Sequence, residues 1–129
     1  PTPPRSILTG DAVRPGVSGG VTPLGWAAAG LGAALIGGVW SAVSRRRWTT
    51  VGAAIVAGLA GSLADSLAGD TIQAGYVCTV CDEPSEVGGD HCGQPQLLVR
   101  GVPWITNDVV NVIATAVGGL VGTALIRDP

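Results

Sequence analysis

Three long runs without a charged residue set the terms for any fold this chain can adopt: Val21–Ser44, Trp48–Ala64 and Val109–Ile126. Each is close to the roughly 20 residues that an α-helix needs to cross a bilayer. A Gly/Ala-rich soluble bundle could bury such runs, but it would need a charged exterior. Only 12% of the 129 residues are charged, against about a quarter in an ordinary soluble domain. Tryptophans mark the run ends. Trp40 and Trp48 bracket the basic turn Arg45–Arg47, and Trp26 and Trp104 stand at the opposite end, the arrangement of interfacial aromatic belts. The expected fold is all-α: a polytopic transmembrane helical bundle of about three spans, 22–43, 48–68 and 104–126. These form one membrane domain, with a Gly/Pro-rich loop over 1–21 and a long, Cys-containing interfacial loop over 69–103. The protein is expected to be multi-pass and integral to the membrane.

Net charge is −2 and every cation is an arginine, which argues against nucleic acid as a partner. The chain contains no methionine, so a processed form or a piece of a longer protein is expected. Its first twenty residues lack the apolar core of a cleavable signal. Counting crossings gathers the polar motifs on one membrane face: the N-terminal loop, the end of span two, the Cys-containing loop and the start of span three.

Asp65, in "GSLADSLAGDTIQ", lies near the end of span two, where a carboxylate costs several kcal/mol unless partnered. Headgroup water at the helix end is the plainer explanation for it, and more so for Asp70. Gly58, Ser62, Asp65, Ser66 and Gly69 share a helical stripe. Asn107, Asn111, Thr115, Gly118 and Gly122 make a second on span three. Small and polar residues at such spacing allow close helix approach in lipid, so both stripes should face protein. In "WITNDVVN", Asp108 adds an anionic oxygen to the carbonyl oxygens of Asn107 and Asn111, a mix that suits Mg²⁺. An N-terminal cap accounts for Asn107 or Asp108 but not for Asn111, one turn further in.

"RPGVSGGVT" places Arg14, Gly16, Ser18, Gly19 and Gly20 just before span one. Gly-rich loops opening a helix can wrap phosphate with backbone N–H groups, and a plain connector reads the same way. "CTVCDEPSEVGGDHCG" supplies Cys78, Cys81, His91 and Cys92, the donor set of a structural Zn²⁺ site. Neighbouring side chains at His91 and Cys92 ordinarily diverge, so three cysteines with an external ligand, a reduced loop or a partial disulfide stay open beside zinc.

Taken in order, "PGVSGGVTPLG", "GSLADSLAGDTIQ", "YVCTVC…HCG" and "WITNDVVN" resemble an integral-membrane family. It includes the plant plastid phytyl-phosphate kinase of tocopherol synthesis and its prokaryotic relatives. The likeness runs from about Pro4 to Leu125. It implies a protein about twice this length, of which this chain resembles the C-terminal half. A missing N-terminal half or another protomer would then complete the site. The implied activity is phosphoryl transfer from a nucleoside triphosphate to a prenyl monophosphate, in isoprenoid metabolism. On that reading Asp65 and Asp108 bind Mg²⁺, Asp70 and Asn111 support them, and Arg14, Asn107 and the Gly16–Gly20 loop meet phosphate oxygens.

Nucleotide access then requires the motif face to be cytosolic or stromal. Arg45, Arg46, Arg47 and Arg127 against Arg5, Arg14 and Arg100 tilt the positive-inside rule slightly the other way. Two rivals fit the same residues. Intramembrane Asp beside Asn and Gly-broken helices also builds ion-coupled transporters, and a zinc-stapled loop on inert spans would make a non-catalytic scaffold.

Overall fold

The computed structural model describes residues 2–44 and 49–126. The expected basic turn Arg45–Arg47, Trp48 of the aromatic belt and Arg127 lie outside the described residues. Three helices dominate: α1 (Pro23–Val43), α2 (Thr49–Thr71) and α3 (Asn107–Leu125). Their 21, 23 and 19 residues make them about 32, 35 and 29 Å long, a match to the roughly 30 Å hydrocarbon core. At most 11% of any span's apolar window is buried. Leu24, Leu31, Leu35 and Val39 on α1 and Val112 and Leu120 on α3 are exposed. Such surfaces suit lipid, and the fold is an all-α membrane bundle.

Local chemistry sets the helix ends. The Thr22 hydroxyl accepts from the Gly25 N–H at 3.0 Å, and Pro23 opens α1 with its φ already helical. α3 begins three residues later than expected. Its N-cap is Thr106, with no side-chain cap bond, so neither Asn107 nor Asp108 caps it. The preceding turn closes through Ile105 N–H donating to Val102 C=O at 2.9 Å, and Ile105 is buried with Ala68 and Val110. α2 continues past residue 68 to Thr71 because Asp70 finds partners outside the helix.

α2 is the central helix, packing on α1 and on α3. Its contact with α3 runs backbone against backbone. A Cβ on Gly61 would stand 3.0 Å from the Ala114 carbonyl oxygen, and one on Gly118 would stand 3.1 Å from that of Ala57. Lipid offers no hydrophobic drive for helix association, so van der Waals contact at this range has to hold the pair together.

The segments expected to be plain loops carry short strands. β1 (Arg5–Ser6) pairs antiparallel with β2 (Gly20–Val21). Between α2 and α3 lie β3 (Gly75–Val77), β4 (Pro84–Ser85), β5 (Asp90–His91), β6 (Gln94–Pro95) and β7 (Leu97–Arg100). β3 is central in a three-stranded sheet of order β4-β3-β7, and β5 and β6 form a separate hairpin. Together with the N-terminal loop these strands cap the bundle end formed by the start of α1, the end of α2 and the start of α3.

Candidate functional site

The two polar stripes meet. Ser62 and Asp65 of α2 share with Asn111 and Thr115 of α3 an open groove of about 430 Å³ whose apolar walls include Ala57, Gly61 and Gly118. Asn111 and Thr115, expected to face protein, are exposed in it because the groove opens outward between the two helices. Asp65 sits six residues before the end of α2, about 9 Å along the helix axis. It is half-buried, and among the described residues no hydrogen bond or ion pair engages its carboxylate. The groove's carboxylate, amide carbonyl and hydroxyls are hard oxygen donors of the kind Mg²⁺ takes. Gly58 of the α2 stripe also lines the groove, whereas Ser66 and Gly69 serve elsewhere. Ser66 turns with Ser62 toward Thr22 and Trp26 at the start of α1, and Gly69 lies against Ser18 and Gly19.

Asp108 and Asn107 do not line this groove. Both are exposed on the first turn of α3 and open onto a second cavity of about 440 Å³, with Tyr76, Glu86 and Thr106. The carboxylates expected to act as a pair therefore border different hollows, separated along α3 by the turn between Asp108 and Asn111.

Asp70, expected to support the metal site, is held by other partners. One carboxylate oxygen accepts from Ser6 Oγ at 2.5 Å and from the Leu8 N–H at 3.2 Å, and the other pairs with Arg100 at 3.5 Å. Arg100 also donates to the Ser18 carbonyl at 3.2 Å. Asp70 thus ties the N-terminal loop to the end of α2 and to β7, and both of its oxygens have protein partners.

The Gly-rich loop is equally engaged. Gly19, at φ +85°, lies directly on Asp70, where a Cβ would collide with that residue's backbone and Cβ. Its lack of a side chain serves loop-on-helix contact. Ser18 donates both its N–H (3.0 Å) and its hydroxyl to a Glu86 oxygen, so a carboxylate already stands where a phosphate oxygen was expected. Arg14 donates to the Asp82 carbonyl at 3.3 Å, and Gly20 lies in β2. Gly16, at φ +89° with open space around it, borders a third hollow of about 470 Å³ together with Tyr76, Glu86 and Arg100. Glu86, Arg100 and Ser6 were not singled out from the sequence. Their partners lie 30 to 82 residues away, beyond any local pattern.

The Cys/His residues converge. One donor atom from each of Cys78, Cys81, His91 and Cys92 lies within 4.8 Å of the others, so the cluster could hold a metal ion. The expected divergence of His91 and Cys92 is overturned by backbone conformation. Cys92 at φ +52° and Gly93 at φ +73° form the two-residue left-handed turn favoured in hairpins, which swings both side chains to one side. Cys78 is buried and its thiol is lowered from 9.0 to about 6. The Val80 N–H directed at its sulfur is the main cause, followed by His91. Cys92 is pushed up to about 11, chiefly by its hydrogen bond with Cys81 and then by desolvation.

The family model for integral membrane protein DUF92 matches residues 1–119. The chain belongs to this family. No solved structure matches it. This DUF92 chain is accordingly a multi-pass integral membrane protein, with all three apolar helices of spanning length. Both the Asp65 groove and the Cys/His cluster lie within the matched residues.

Proposed function

We propose that the protein is a membrane phosphotransferase that carries a phosphoryl group from a nucleoside triphosphate to a prenyl (phytyl-type) monophosphate, giving the diphosphate. One observation carries the reading. An unpartnered carboxylate, Asp65, lies in an apolar interhelical groove one end of which approaches the membrane face bearing Asn107, Asp108 and Arg100. A substrate with an isoprenoid tail and a charged head asks for that combination. The Ala and Gly walls suit the tail, and the Asp65 end suits the head.

Phosphoryl transfer needs positioning and charge neutralisation more than covalent chemistry. Asp65, with Asn111 and Ser62 beside it, fits Mg²⁺, and Asp108 with Asn107 would hold a metal or its water over the neighbouring hollow that they border. When bound, the ion supplies charge neutralisation on the phosphoryl oxygens. Arg100 adds a fixed positive charge near the hollow bordered by Gly16. Asp70 serves on this reading as a positioning residue that fixes Arg100 and the N-terminal loop. The Ser18 donors would meet a phosphate only by exchanging it for the Glu86 carboxylate.

A second reading, an ion-coupled transporter, draws on the same lone carboxylate, since unpaired intramembrane Asp residues also serve as coupling-ion ligands. Reconstitution in sealed vesicles separates the two. The phosphotransferase predicts nucleotide turnover that requires prenyl phosphate and Mg²⁺, with no dependence on an ion gradient. Gradient-driven solute uptake without turnover would replace it with the transporter.

A further inference from the structure

From Thr79 to Arg100 no residue is buried, yet this segment holds one hairpin and completes a second with β3, both in defined register. Tyr76 pairs with Ser85 and Val77 with Pro84, while His91 pairs with Gln94 and Asp90 with Pro95. Fixing a backbone costs about 1–2 kcal/mol per residue, and here almost no apolar burial offsets it. Small units in this position are ordinarily held by metals or disulfides.

Three of the four donor atoms outline one face of a coordination tetrahedron. His91 Nδ1 lies 3.4 Å from Cys81 Sγ and 3.4 Å from Cys92 Sγ, and the two sulfurs are 3.7 Å apart. A tetrahedral zinc ion with bonds of about 2.3 Å to sulfur and 2.0–2.1 Å to nitrogen has S···S edges near ~3.8 Å and S···N edges near ~3.6 Å. These three edges agree with those values to about 0.2 Å, and the fourth donor, Cys78 Sγ, lies within 4.8 Å of the other three. A disulfide would require sulfurs about 2.05 Å apart and would leave one of three cysteines over.

The backbone around the cluster is shaped to present these donors. Asp82, just after Cys81, has φ +55°, and its N–H donates to the Cys78 carbonyl at 3.0 Å, closing a tight turn around the CxxC pair. The Val80 N–H points at Cys78 Sγ at 3.5 Å, an interaction that stabilises negative charge on sulfur. The His91–Cys92–Gly93 turn delivers the other two ligands from the opposite hairpin. Three thiolates and one imidazole in a tetrahedron select zinc by donor softness and geometry.

We propose that Cys78, Cys81 and Cys92 through Sγ, and His91 through Nδ1, form a closed zinc site that clamps the β3–β4 hairpin to the β5–β6 hairpin at the membrane surface. Four protein ligands leave no open position for water, so the site is structural. Its consequence reaches the cavities below. Tyr76 on β3 and Glu86 just beyond β4 border the hollow that contains Asn107 and Asp108, and Glu86 holds Ser18. The clamp therefore fixes where those side chains stand over the start of α3.

The test uses the full-length protein, purified in detergent under reductant, with metals counted by mass spectrometry. About one zinc per chain is expected, and exchange for Co²⁺ should give the strong visible bands of tetrahedral thiolate ligation. Cys81→Ser and Cys92→Ser should each lose the metal, and His91→Ala should change the Co²⁺ spectrum. Helical circular dichroism should persist in every variant, because the ligands lie outside α1–α3. A wild-type protein with intact helices and no stoichiometric zinc would overturn the proposal, whether its thiols titrate as free or as a Cys81–Cys92 disulfide. Co²⁺ bands unchanged in His91→Ala would overturn the fourth ligand. Neither result depends on whether the protein transfers phosphate.

Discussion

Gly37 and Gly38 are neighbours on α1 with opposite surroundings, and alanine at each should move stability in opposite directions. A Cβ on Gly37 would stand 2.7 Å from Ala54 Cβ and 3.1 Å from Val51 Cα, whereas one on Gly38 meets nothing within 4 Å. Carbon atoms pack comfortably at about 3.5–4.0 Å, so Gly37→Ala must part α1 from α2 by roughly 0.8 Å or more at that contact. Overpacking of this size costs about 1–3 kcal/mol. Glycine-to-alanine replacement within a helix returns about 0.5–1 kcal/mol. The net expectation is a loss of about 1–2 kcal/mol for Gly37→Ala and a gain of up to ~1 kcal/mol for Gly38→Ala. The gap between them, roughly 2 kcal/mol, is a change in unfolding constant of about 30-fold. Unfolding by graded addition of a denaturing detergent, followed by helical circular dichroism, resolves that difference. Shifts of the same sign, or greater damage from Gly38→Ala, would refute the packing of α1 on α2 through Gly37.

Other consequences follow from the cap. Asp70→Ala removes the acceptor shared by Ser6, Leu8 and Arg100, a loss of about 1–3 kcal/mol that falls on the N-terminal loop. Hydrogen exchange should quicken over residues 5–21 while α3 stays protected, and unchanged exchange there would contradict the role given to Asp70. Gly19→Ala has to displace the loop from α2, since the glycine has φ +85° and its Cβ position is filled by Asp70. Limited proteolysis should then cut the N-terminal segment faster than in wild type. The Cys78 thiol, lowered from 9.0 to about 6, gives the metal-free cap a pH dependence. A depressed acid favours the folded form, its contribution complete near pH 9.0 and fading as pH falls through the window down to about 6, while the Cys92 thiol, pushed up to about 11, works the other way only above 9.0. Cap protection in chelator should therefore fall as pH drops from 9.0 to about 6, and a flat profile would show that Cys78 is not the thiolate described.

The membrane architecture was legible because uncharged runs of bilayer length admit few other folds. The helix boundaries were less so. Asp70 reads as a residue that should end a span, yet α2 carries it because Ser6 and Arg100, far away in sequence, engage its charge. Within the site, the stripe on α3 foretold close contact with α2 at Gly118 and Gly122, which lie against Ala57, because small-residue periodicity encodes close helix approach, whereas Asn111 and Thr115 of the same stripe are exposed. The separation of Asp108 from the Asp65 groove was not foretold. Spacing along α3 gathers Asp108 and Asn111 on one turn without saying which hollow each borders. The convergence of His91 and Cys92 was also hidden, because it depends on left-handed backbone at a cysteine, a conformation that residue type does not announce. Glu86 escaped notice for a related reason. Only the folded cap brings its carboxylate to the Ser18 amide.

On the proposed function, Asp65 serves a phosphoryl acceptor delivered from the membrane. The most direct test of that role supplies full-length protein in detergent with Mg²⁺, prenyl monophosphates and a nucleoside triphosphate labelled in the terminal phosphate, and detects product by mass spectrometry. Wild type is expected to give labelled prenyl diphosphate, and Asp65→Asn at least about a 100-fold lower rate with the helical spectrum unchanged. Folded wild-type protein that makes no diphosphate with any donor, or an Asp65→Asn variant as active as wild type, would contradict that role.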